Sequence, residues 1–163
     1  MPNKTALVTG ASDGIGAEFI QILASRGYDL ILVARSEDKL NQLAVKVGGQ
    51  FGVNCTVIVA DLSEPNAAQN LFQSIEEKGL DVDFLINNAG LLHNGFFTEL
   101  NLAEQERMIV VNVLALTTLT HLYANNMASK GGGHILNVAS LAGWMAIPNQ
   151  NVYAATKAYV LAF

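Results

Sequence analysis

The stretch Thr9-Gly10-Ala11-Ser12-Asp13-Gly14-Ile15-Gly16 decides the fold. It follows an apolar run, residues 5–9, and leads into a segment whose apolar side chains recur at helical spacing. Three glycines therefore occupy one strand-to-helix turn. Glycine accepts positive φ and carries no side chain, so the backbone can bend tightly and approach a pyrophosphate. The helix start then offers it free N–H groups and the positive end of a dipole. The spacing Gly-x-x-x-Gly-x-Gly is a variant of the general dinucleotide fingerprint.

Outward from this turn, short runs rich in Val, Ile and Leu alternate with longer helical segments, the pattern of parallel strands joined by crossovers. Strands are expected at residues 5–9, 29–34, 55–60, 83–87 and 134–139. Most are apolar throughout, which predicts a sheet covered by helices on both faces. The periodicity predicts helices over 14–25, 37–47, 66–78 and 101–128, with another opening near Val152. Gly27, Gly48-Gly49, Gly79 and Gly131-Gly132-Gly133 read as stop signals, and Ser63-Glu64-Pro65 as a helix entrance. No repeat or linker divides the 163 residues, so residues 1–163 are expected to form one domain.

Composition narrows the function. Hydrophobic residues make up 51% and charged residues 14%, too apolar for a disordered chain. A net charge of −5 argues against a broad grip on nucleic acid or anionic lipid. The single cysteine, Cys55, excludes an internal disulfide and a multi-cysteine zinc site, and His93, His121 and His134 lack compact ligand spacing, so no metal is expected. The start of the chain has no stretch suited to a signal peptide, and residues 131–156, although uncharged, are broken by glycine, asparagine and proline. A cytoplasmic protein without a membrane span is the expectation.

The second strand closes at Ala34-Arg35, where an adenosine ribose would lie. An acid there would bond both ribose hydroxyls of NAD. Ala34 cannot, and Arg35 could pair with a 2′-phosphate, so NADP is expected ahead of NAD. Asp13 counts against this, because a carboxylate pointing inward would repel that phosphate. Asp61-Leu62 could meet the adenine edge, or Asp61 could only cap the turn toward Ser63; both readings stand.

Asn87-Asn88-Ala89-Gly90 closes the fourth strand at the edge where open α/β sheets bind ligands. Tyr153 and Lys157 lie four apart on the last helix and share a face. An ammonium beside a phenol stabilises phenolate and suits it to acid–base work. From Met108 onward the only full charges are Lys130 and Lys157, so Lys157 calls for a reason. Ser140 could bond a substrate carbonyl beside the phenol, and no adjacent base marks it as a nucleophile. Asn112 interrupts an apolar run and must satisfy its amide, by structural bonds or by holding a water.

Together, Thr9-Gly10-x-x-x-Gly14-Ile15-Gly16, Asn87-Asn88-Ala89-Gly90, Asn112, Ser140 and Tyr153-x-x-x-Lys157 resemble the short-chain dehydrogenase/reductase family along the whole chain. The resemblance implies a Rossmann-type, doubly wound, three-layer α/β/α fold with strand order 3-2-1-4-5, and reversible hydride transfer between NAD(P) and a carbonyl/alcohol pair. It implies Tyr153 as the acid, Lys157 as its partner and holder of the nicotinamide ribose, Ser140 as the carbonyl's positioner and Asn112 as anchor of a relay water. It puts Gly10, Ser12, Asp13, Gly14, Ile15 and Gly16 on the pyrophosphate side, with Arg35, Asp61, Leu62, Asn88, Ala89 and Gly90 along the adenosine and ribose. Family members continue beyond the position of Phe163 with further strands, so a fragment of a longer enzyme is expected, its fifth strand left as an open edge. Leu92, Phe96, Trp144 and Met145 hint at an apolar substrate, and the helices from Asn101 and Val152 at a homo-oligomer. The competing reading is a dinucleotide-binding or assembly module without turnover.

Overall fold

The computed structural model describes residues 3–145 and 147–163, so Met1 and Pro2 of the amino-terminal reading, and Ala146 of the uncharged tail, lie outside it. Five strands, β1 (Thr5–Thr9), β2 (Asp29–Ala34), β3 (Cys55–Val59), β4 (Phe84–Asn87) and β5 (His134–Asn137), form one parallel sheet. Its order is β3-β2-β1-β4-β5, as expected. The helices are α1 (Gly14–Ser25), α2 (Glu37–Phe51), α3 (Ala67–Glu77), α4 (Leu102–Ile109), α5 (Leu116–Ser129) and α6 (Asn151–Ala162).

Alternation along β2 explains the two covering layers. Leu30 and Leu32 face a cluster with Ile20 and Leu23 of α1 and Leu40 of α2. Ile31 and Val33 face Leu71 and Ile75 of α3 and Leu119 and Tyr123 of α5. Each such side chain, fully buried, contributes roughly 1.5–3 kcal/mol, so β2 in the wrong register would forfeit both cores. Parallel pairing sets Leu7 of β1 beside Ile31 on one side and Leu85 on the other. The carboxyl ends of β1, β2 and β4 therefore open on one edge.

Several expectations need correction. Helix α2 runs through Gly48-Gly49 and closes at Gly52; a β-carbon on Gly48 would stand 3.3 Å from the Val53 carbonyl, so Gly48 serves close packing, and neither glycine ends the helix. Ser63 does not open α3: Asn66 stands at its amino-terminal cap, and Ser63 belongs to a turn closed by Asp61. The segment expected as one helix over 101–128 is α4, a π-helical turn at Val110–Ala115, and α5. Hydrophobic spacing could not reveal that extra residue per turn. Counted together, Leu102–Ser129 is long and apolar enough to cross a membrane by length and composition, contrary to expectation. A core helix passes the same test, and Met108, Leu119, Tyr123 and Met127 are buried here. Strand β5 is not covered on both faces, since His134 and Leu136 are exposed at the sheet's edge.

Candidate active site

A cleft of 740 Å³ opens over the carboxyl ends of the strands. That lies within the usual size of small-ligand sites. The glycine turn forms one wall, with Gly10, Ser12, Asp13, Gly14, Ile15 and Gly16 all lining it. Gly10 has φ +66, and a β-carbon there would come within 2.9 Å of the Ala89 α-carbon. Only glycine lets this turn lie against the end of β4. The contact is sewn shut by Thr9, whose hydroxyl accepts the N–H groups of Asn88 and Ala89 at 3.1 and 3.0 Å, while Asn88 Nδ2 donates to the carbonyls of Thr9 and Gly10. Asn88 thus holds the wall of the cleft through its side chain.

Arg35, Asp61, Leu62, Asn88, Ala89 and Gly90 line the rest, joined by Ser36 and Lys39 at the start of α2. Asp61 does cap its turn: Oδ1 accepts the Ser63 N–H at 2.9 Å and its hydroxyl at 2.7 Å. Its other oxygen lies 3.5 Å from Arg107 and 3.9 Å from Arg35. Burial pushes this carboxyl up, but the Ser63 bonds and the two guanidinium groups outweigh it and hold the group below the usual carboxylate range. The Asp13 carboxylate is engaged by Lys39 at 2.8 Å.

A second face lies behind Gly90. Lys157 is only 5% exposed, and its Nζ donates to the Val138 carbonyl at 2.7 Å and lies 5.9 Å from the centre of the Tyr153 ring. No carboxylate pairs with it among the described residues, and burial holds its pKa below the ordinary lysine value. Asn112, within the π turn, accepts the Leu91 N–H at 2.8 Å and donates to the Leu91 carbonyl and the Thr156 hydroxyl, each at 3.0 Å. Its side chain is therefore used structurally, tying the strand-end loop to α6. Thr156 in turn donates to the Tyr153 carbonyl at 2.7 Å. Ser140 lies three residues beyond the end of β5, its hydroxyl accepting the Ala142 N–H at 3.2 Å where a 3-10 turn, Leu141–Gly143, begins.

Tyr153, Lys157, Ser140 and Asn112 do not line the cleft. The two faces meet at Gly90, where a β-carbon would lie 3.5 Å from Asn112 Oδ1 and 3.7 Å from Lys157 Nζ. Thr9, Lys39, Arg107 and Thr156 were not among the expected site residues. Only Thr9 carried a local signal, as the last residue of the strand before the glycines.

A nucleotide-sized cleft over the carboxyl edge of a doubly wound parallel sheet defines the Rossmann class of folds. More narrowly, the chain belongs to the short chain dehydrogenase family, whose model matches residues 4–163. Among curated relatives, a very-long-chain 3-oxoacyl-CoA reductase of Anas platyrhynchos is 35% identical over 161 residues, covering 95% of this chain and 51% of its own length. A bulky-bulky ketone specific alcohol dehydrogenase from Comamonas testosteroni superposes with TM-score 0.93 at 34% identity, over 99% of this chain and 64% of that one. A short-chain dehydrogenase from Sphingobium yanoikuyae, solved in complex with NADPH, gives 0.91 at 37%, over 98% and 62%. The chain thus spans about half the length of the curated relatives it matches.

Proposed function

We propose that the protein containing this unit is an oxidoreductase that interconverts a carbonyl and its alcohol with NADP(H). One observation carries the reading: a buried lysine without an acidic partner among the described residues stands against the tyrosine four residues before it, directly behind the floor of the cleft at Gly90. A buried cation costs stability, and a phenolate formed in turnover would offset that cost.

The cleft fits a dinucleotide, with the glycine turn for its pyrophosphate and cations at the adenosine end. A bound nicotinamide would supply or accept the hydride. Tyr153 gives its hydroxyl proton to the carbonyl oxygen during reduction, and Lys157 balances the charge left on the phenol. Ser140 donates to the same oxygen and fixes the carbonyl's orientation. Asn112 holds Leu91 and Thr156, and so the spacing between cleft and phenol; the relay water is assigned to its neighbourhood.

The substrate is apolar in this reading, which the exposed Leu92, Phe96, Trp144 and Met145 in the segments after β4 and β5 support. The protein is cytoplasmic and homo-oligomeric in this reading, with exposed Ile109, Leu114 and Leu161 of the long helices as subunit contacts. NADPH oxidation against a panel of apolar ketones tests the proposal. Turnover should fall at least about a hundredfold in Tyr153→Phe, and equal turnover in that variant removes the acid.

A further inference from the structure

Asp13 poses a problem that the structure resolves. A carboxylate in the glycine turn faces the same cleft as Arg35, and would oppose a phosphate on the ribose. Its charge is met by Lys39, from the first turn of α2, at 2.8 Å across the mouth of the cleft. The pair joins residues 26 apart and is largely exposed, 57% for the lysine side chain and 69% for the aspartate, so it contributes little to folding. Both residues line the cleft, whereas Glu37 and Asp38 of the same turn of α2 do not.

Among the charged residues that line the cleft, Arg35 and Lys39 balance Asp13 and Asp61, and Arg107 pairs with Asp61 from outside the lining. Removing Lys39 leaves Asp13 unpaired and the lining with an excess of one negative charge.

We propose that Lys39 is the specificity-determining residue for a 2′-phosphorylated dinucleotide, and that its ion pair with Asp13 neutralises a carboxylate that would otherwise reject the phosphate. This rests on the NADP reading above. Lys39 keeps donors free while bonded to Asp13, since an ammonium has three, and the phosphate shares it with the carboxylate. Arg35 supplies the second cation.

Calorimetric titration of the protein with NADP+, NAD+, 2′,5′-ADP and 5′-AMP tests this. Lys39→Gln should weaken NADP+ and 2′,5′-ADP about tenfold or more and NAD+ and 5′-AMP less than about twofold, with Lys39→Arg restoring most of the loss. Adding Asp13→Asn to Lys39→Gln should recover NADP+ affinity at least about threefold, because the unpaired carboxylate is gone. Equal weakening of all four ligands by Lys39→Gln, or no weakening of any, overturns the proposal while NADP preference in the parent protein stands. Failure of Asp13→Asn to rescue overturns the part given to Asp13. A parent protein that binds NAD+ as tightly as NADP+, and 5′-AMP as tightly as 2′,5′-ADP, overturns the NADP reading itself and the proposal with it.

Discussion

Gly16 stands against Gly10 so closely that a β-carbon on Gly16 would lie 2.1 Å from the Gly10 carbonyl oxygen. The obstacle is backbone, and it cannot swing aside as a side chain would. Helix α1 can approach the glycine turn only because position 16 is bare.

Gly16→Ala should therefore lower stability by about 1–3 kcal/mol and weaken nucleotide binding, as α1 is pushed off β1. Gly49→Ala is the counterpart. It lies inside α2 with nothing within 4 Å of its would-be β-carbon, and should raise stability by about 0.5–1 kcal/mol. Chemical denaturation midpoints for the two variants should move in opposite directions.

In the proposed mechanism Lys157 trades stability for chemistry. Its pKa is lowered on folding, so the charged form is a cost that is fully present below the folded pKa and lifts as pH rises toward the ordinary lysine value of 10.5. The stability of Lys157→Met minus that of the parent should be positive near neutrality and shrink with rising pH in that window, while turnover falls at least about a hundredfold. A pH-independent difference in thermal unfolding contradicts the assignment.

Asp61 behaves in the opposite sense. Its lowered carboxyl pKa contributes stability above the ordinary carboxylate range, and that contribution is lost as pH falls through the folded value. Asp61→Asn should be less stable than the parent at neutral pH, and the gap should close on acidification. Parallel acid denaturation curves for the two proteins would count against this.

Asn112→Ala orphans the Leu91 N–H and carbonyl and removes the bond that the Thr156 hydroxyl accepts. A cost of about 2 kcal/mol or more is expected, against about 1 kcal/mol for Thr156→Val, which removes one of those bonds and that to the Tyr153 carbonyl. Urea unfolding of both variants measures the difference.

The sheet was readable from sequence because apolar runs such as Leu30–Ala34 need burial on both sides, and the glycine turn dictates a helix after β1. The strand order came from the family resemblance. Gly48 misled because its packing against the Val53 carbonyl is tertiary and leaves no local trace. The π turn around Asn112 was invisible for a similar reason: Val110, Val111 and Val113 are apolar in either helix geometry. The lining residues on the glycine turn and at the ends of β2 and β4 could be named from sequence, whereas Ser36 and Lys39 on the far wall could not. The Asp13–Lys39 pair could not, since nothing in the intervening chain says that α2 begins opposite α1.

The placement of Asn112 also orders events during synthesis. Every residue lining the cleft lies at or before Val111, whereas Tyr153 and Lys157 arrive on α6. A nascent chain emerging amino end first has its cleft encoded before Tyr153 and Lys157 exist, and Asn112 is where the late helix latches on.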